Sequence, residues 1–129
     1  MRVGYSIRDL AKEFAVTPRT IRHYEEQGLV RPAREGVTRI YSNRDRGRLK
    51  LALRCKRLGF PLVEIRELFE LYDLAKSEKQ QLKAFLARLQ KRRLLLEQQR
   101  DDIAVMLNEI SFFAAQCMRL LSEQEKEQI

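Results

Sequence analysis

Tryptophan is missing from this chain of 129 residues, histidine occurs once and cysteine twice. Each scarcity removes a chemistry. His23 alone builds no cluster of imidazole ligands, and no glycine-rich phosphate loop or convergent acid pair accompanies it, so no catalytic set is expected. Cys55 and Cys117 lie far apart without a CxxC spacing, which predicts no disulfide framework and suits a reducing compartment. No metal or other cofactor is expected. Met1–Leu10 is polar, so a signal peptide is not expected, and no continuous apolar run reaches the ~20 residues that span a bilayer. A cytoplasmic protein without a membrane partner follows. Glycine and proline are also rare, and none stands after Pro61, which leaves the second half free to form an uninterrupted helix.

What is present is charge, and it is unevenly placed. Hydrophobic residues make up 44% and charged residues 34%, the composition of a folded, helix-rich chain rather than a disordered one. The formal net charge is +8. Residues 1–60 carry 15 Lys and Arg against 6 Asp and Glu, whereas residues 61–129 carry 11 against 12. One end is therefore specialised for a polyanion and the other is neutral.

Local signals divide the basic half into short elements. Ser6-Ile7-Arg8-Asp9 is a capping-box-like start, and Ile7, Leu10, Ala11 and Phe14 follow at helical spacing. After a turn at Ala15-Val16, Thr17 caps a second helix with Pro18 at its first position and Gly28 just past its end. Two short helices and a tight turn make a helix-turn-helix. Pro32 and Gly36 break the pattern, and Val37-Thr38-Arg39-Ile40-Tyr41 reads as part of a small β-hairpin or wing. Ser42-Asn43-Arg44-Asp45 repeats the cap signal for a third helix through Leu49, Leu53 and Leu58, which Gly59 stops. Phe60-Pro61-Leu62 restarts a fourth, with Ile65, Leu68, Phe69 and Tyr72 inward.

From Lys76 onward Leu82, Leu89, Leu96, Ile103, Ile110 and Cys117 recur every seventh residue, with apolar companions at three or four. Such a heptad predicts a coiled coil, here a self-associating rod of roughly 60 Å, whose strands the spacing alone leaves parallel or antiparallel. Arg92, Arg93, Gln99 and Arg100 interrupt it near the middle. The expected boundaries are a head over 1–75, a dimerisation helix over 76–122 and a polar tail over 123–129.

In the second helix Arg19, Arg22, His23 and Glu26 share one strip, with Thr20 beside it and Tyr24 at its edge, while Ile21 faces inward. Two guanidiniums, a phenol and a helix start on one face suit a DNA backbone and the base edges of the major groove. Arg39 and Tyr41 in the wing and Arg44 at the third helix start extend that surface. The competing reading pairs each arginine with Glu25 or Glu26 and packs Tyr24 in the core. An architectural or recombination-accessory DNA binder is the alternative function, and an RNA-binding scaffold is disfavoured because the head lacks aromatic platforms.

The order SIRDLAKEFAVTPRTIRHYEEQGLV, then RIYSNRDRGRLKLALRCKRLGFPLVEIRELFELYD, then a long helix closely resembles the MerR family of bacterial transcription regulators. REGVTRIYSNRDRGRLKLALRCKRLGF is similar in particular to LiuR-type regulators of leucine and isovalerate catabolism. The resemblance implies an all-α fold with a small β wing, in which a winged helix-turn-helix head precedes a long antiparallel coiled-coil dimerisation helix. It also implies a homodimer on a pseudo-palindromic operator that modulates transcription by distorting promoter DNA, with RNA polymerase and an unknown small-molecule effector as partners. Matched by position, Arg19, Arg22 and Tyr24 fall on the recognition helix and Arg39 and Tyr41 on the first wing. Two residues depart from the family: His23 precedes Tyr24 where an aromatic is usual, and Pro61 replaces a capping serine. The cysteines of metal-sensing members have no counterpart in Lys76–Gln81.

Overall fold

The computed structural model describes residues 4–127. Its elements run α1 (Ile7–Phe14), α2 (Pro18–Glu26), β1 (Ala33–Glu35), β2 (Thr38–Ile40), α3 (Asn43–Arg57), α4 (Leu62–Leu74) and α5 (Glu78–Glu127). The mostly helical fold with one two-stranded sheet agrees with the sequence reading, element by element.

Short side-chain caps account for the helix starts. Ser6 Oγ accepts the Asp9 N–H at 3.0 Å while Asp9 Oδ2 accepts the Ser6 N–H at 3.0 Å, a complete capping box for α1. Thr17 Oγ1 accepts the Thr20 N–H at 3.1 Å, and Pro18 fills the first position of α2. Between them Ala15 takes a left-handed φ of 54°, a conformation that glycine adopts more cheaply. Gly28, at φ 77°, turns the chain out of α2 and sends Leu29 and Val30 into the core. Pro61 begins α4 without a side-chain cap, as the missing serine predicts.

β1 and β2 pair antiparallel in the register Ala33↔Ile40, Arg34↔Arg39, Glu35↔Thr38, with Gly36 at φ 61° opening a two-residue turn. Tyr5 and Tyr41 exchange backbone hydrogen bonds of 2.8 Å each way, so the chain before α1 is sewn to the end of the hairpin.

Asp45 fastens the hairpin to α3. Its side chain is buried, yet both oxygens are occupied: Oδ2 accepts the Ser42 N–H at 2.9 Å and Oδ1 the Arg31 N–H at 3.1 Å. Ser42 Oγ accepts the Asp45 N–H in return at 3.0 Å. One carboxylate thus caps a helix and holds the strand entry fourteen residues upstream. Around it the core runs from Leu10 and Ile21 through Leu29, Tyr41 and Leu49 to Ile65 and Phe69. Ile7, Phe14 and Leu53 border it and are partly covered, while Leu58 stands half exposed as the last cap of α3.

The described chain falls into two compact units that divide between Phe85 and Leu86. In the first, the opening turns of α5 are tied to α4: Gln81 Nε2 donates to the Tyr72 carbonyl at 3.1 Å, and the Tyr72 and Phe85 rings sit 6.3 Å apart. The second unit is α5 alone. None of the 50 residues of α5 is buried, although Leu96, Ile103, Met106, Ile110 and Phe113 lie along it. By length and hydropathy α5 contains a window apolar enough to cross a membrane, which counting only continuous apolar runs does not reveal. The same composition serves a helix that covers its stripe against another helix.

Asp45→Ala orphans two partly covered backbone N–H groups and removes a cap. It is expected to lower unfolding free energy by about 1–3 kcal/mol, read from urea denaturation followed by circular dichroism, with Asp45→Asn losing less.

Candidate nucleic-acid interface

Helix α2 sorts its residues by face. Ile21 and Tyr24 are buried, whereas Arg19, Arg22 and His23 are exposed on the other side. Thr20 lies between, its Oγ1 3.0 Å from Thr17 Oγ1 and therefore part of the cap network. His23 Nδ1 stands a loose 3.9 Å from Glu26 Oε2. Among the described residues, Arg19 and Arg22 form no hydrogen bond or ion pair, so both guanidiniums are available to an external anion.

The hairpin brings its basic residues to the end of α2. Arg39 Nε donates to Glu25 Oε2 at 2.7 Å and Arg34 Nη2 donates to Glu25 Oε1 at 3.1 Å. The sequence pattern places Arg39 on this surface and leaves out Arg34, and pairing with Glu25, the competing reading for each arginine, holds for Arg39. The signal for Arg34 was available: a two-residue turn at Gly36-Val37 sets Arg34 opposite Arg39. No local spacing assigns Glu25 to these two arginines, which lie nine and fourteen residues away.

Arg44 also has an internal partner. It shares Asp73 Oδ1 with Arg48, at 3.0 and 2.9 Å, beside a cleft of about 160 Å³ lined by Arg31, Ser42, Arg44, Asp45, Arg48 and Asp73. Arg48 is further held by the Leu29 carbonyl at 2.8 Å and lies over the Phe69 ring at 4.5 Å, an anchored cation in a structural role. Arg44 remains largely exposed at the start of α3.

The two tyrosines expected at the interface are core residues instead. Tyr24 is 4% and Tyr41 0% exposed, because Tyr24 lies on the Ile21 face of α2 and Tyr41 is drawn in by its backbone pairing with Tyr5. Burial raises the pKa of both phenols, and Glu25 raises that of Tyr41 further. The Tyr41 hydroxyl has no hydrogen-bond partner among the described residues. Cys55 is likewise buried with its thiol pushed up, whereas Cys117 is exposed on α5. Among the described residues no three His, Cys, Asp or Glu side chains gather to hold a metal ion.

A buried hydroxyl without a partner costs stability and offers nothing to a ligand. Tyr41→Phe is therefore expected to hold or raise unfolding free energy, by up to about 1 kcal/mol, and to leave duplex affinity unchanged in a fluorescence-anisotropy titration.

Comparison with known proteins agrees with this geometry. Residues 5–71 match the family model described as MerR HTH family regulatory protein, and residues 46–111 match that described as MerR, DNA binding. The HTH-type transcriptional regulator ZntR of Escherichia coli K12 is 44% identical over 69 residues, covering 52% of this chain and 49% of ZntR. This chain thus spans about half of that relative's length. A ZntR homolog of Haemophilus influenzae is 28% identical over 119 residues, covering 91% of this chain and 78% of the homolog. Among solved structures, the N-terminal part of the Bacillus subtilis multidrug transporter activator, MtaN, superposes with a TM-score of 0.66 at 28% identity, over 83% of this chain and 94% of MtaN. A helix-turn-helix with a two-stranded wing, a free pair of arginines on its second helix and family models spanning more than half the chain lead to one conclusion: the protein belongs to the MerR family of DNA-binding transcription regulators.

Proposed function

We propose that the protein acts as a cytoplasmic homodimer that grips a pseudo-palindromic operator within a promoter and modulates transcription by distorting the DNA. The observation that carries this reading is α2, where Arg19 and Arg22 are exposed, without a partner among the described residues, on the face opposite the buried Ile21 and Tyr24. Inserted in a major groove, that face presents Arg19, Thr20, Arg22 and His23 to bases and phosphates. Arg39 and Arg44 extend the contact along the backbone, and the 15 basic residues of the first 60 supply long-range attraction.

A second copy is the partner that suits α5. Leu82, Leu89, Leu96, Ile103, Ile110 and Cys117 form its heptad stripe, and no residue of the helix is buried. Charge favours an antiparallel pairing. Residues 78–100 carry seven Lys and Arg against two Asp and Glu, whereas residues 101–127 carry two against six. Antiparallel strands set each basic half beside its partner's acidic half, and parallel strands set like against like. The dimer is taken to begin where the head ends, near residue 76, and to leave 123–129 as a tail.

RNA polymerase is then the partner at the promoter, and a small-molecule effector sets the balance between states. The likeness to LiuR-type regulators makes genes of branched-chain amino-acid catabolism the first targets to test.

Binding of the purified protein to the duplex upstream of its own gene, titrated across salt beside a scrambled duplex, tests this reading. About a thousandfold preference at one dimer per site is expected. Arg22→Ala is expected to weaken the preferred site by about 1–3 kcal/mol. Equal affinity for both duplexes, falling steeply with salt, would mean that phosphates alone are read, as in an architectural binder.

A further inference from the structure

Glu25 is an acid on a basic surface built for a polyanion, and on charge alone it opposes binding. Its surroundings give it a different task. Its side chain is 19% exposed, and each oxygen takes one arginine of the wing, Oε1 from Arg34 and Oε2 from Arg39. Those arginines are direct partners across the hairpin. Like charges in that position repel and would splay both the strands and their side chains. A shared carboxylate removes the repulsion and fixes both guanidiniums at once.

The bonding leaves donors over. Arg39 spends its Nε and Arg34 one Nη on Glu25, so each guanidinium keeps further N–H groups, and Arg34 is half exposed. A guanidinium already held in place loses less conformational freedom on meeting a phosphate than a free one. Glu25 also sits in the last turn of α2, whose following residue, Gln27, accepts from Arg66 Nη2 of α4 at 2.7 Å. The carboxylate therefore rides on an anchored helix end, and the offset between helix and hairpin is set by it.

The geometry points to Glu25 as a positioning residue that determines specificity, holding Arg34 and Arg39 as one phosphate clamp at a fixed distance from the recognition helix. This rests on the DNA-binding reading above. A clamp in fixed register helps only the duplex whose bases also meet α2. Glu25 therefore raises discrimination while its charge lowers general attraction.

Glu25→Gln separates these effects, because it keeps the shape and one acceptor and removes the charge. Affinities are measured for a duplex that the wild-type protein selects from a random library and for a scrambled duplex. The variant is expected to lose about tenfold on the selected duplex and to bind the scrambled one as well or better. In an Arg34→Ala/Arg39→Ala background the same change is expected to cost nothing more. Hydrogen exchange of the free protein reports the positioning directly, with faster exchange at 33–40 and unchanged exchange in α1 and α3, which also shows that the variant is folded.

An unchanged ratio between the two duplexes, or a loss that persists without the arginines, would overturn the inference. So would hairpin exchange equal to that of the wild type. A wild-type protein that selects no sequence overturns the regulator reading itself. That result is distinct from failure of this inference alone, in which the wild type discriminates and Glu25→Gln discriminates equally.

Discussion

The buried carboxylate of Asp45 is the constraint on which the head depends. A charged group is costly to bury unless its acceptor capacity is filled, and here two backbone N–H groups fill it, from three and from fourteen residues upstream. The Ser42 contact starts α3, and the Arg31 contact fixes the chain just before β1. Between those two points runs the hairpin, closed at its base by the pairing of Tyr5 with Tyr41. The wing is too short to be stable alone, since two strands of three residues bury little surface. It exists because its two ends are held on the same helical platform.

A second level of order lies in the division of the arginines. Most of those near the wing and α3 are committed: Arg34 and Arg39 to Glu25, Arg44 and Arg48 to Asp73, Arg46 to Glu13. The hydrogen bond from Arg46 holds the Glu13 carboxyl below the usual carboxylate range. These pairs are mostly at the surface, where they add little to stability. Their effect is on direction: each acid selects a rotamer for a long cation and points it. Arg19 and Arg22, with no such partner among the described residues, keep their rotamer freedom. A basic face thus has a pre-set margin of guanidiniums around an adaptable centre.

The long helix obeys a different rule. The head reaches its packing within one chain, while α5 carries a heptad, an apolar stripe and opposed charge halves without burying a residue. Its opening turns are the exception, fastened to α4 through Gln81 and Tyr72.

Much of this was legible without coordinates because the signals are local. Ser6 with Asp9, Thr17 with Thr20 and Ser42 with Asp45 lie three residues apart, so their cap bonds form wherever the helix forms. Gly28 and Gly36 mark turns for the same reason, and the heptad is a property of spacing alone. The outward strip of Arg19, Arg22 and His23 followed from helical periodicity once Ile21 was placed inside. What only the tertiary structure decided was which polar groups meet across distance. The shared hold of Glu25 on Arg34 and Arg39, the grip of Asp73 on Arg44, the withdrawal of Tyr41 through its pairing with Tyr5 and the second bond of Asp45 all join residues of different segments, far apart in the sequence. Periodicity gives a side chain its face, but its partner is set by the packing of helices whose contacts no single segment encodes.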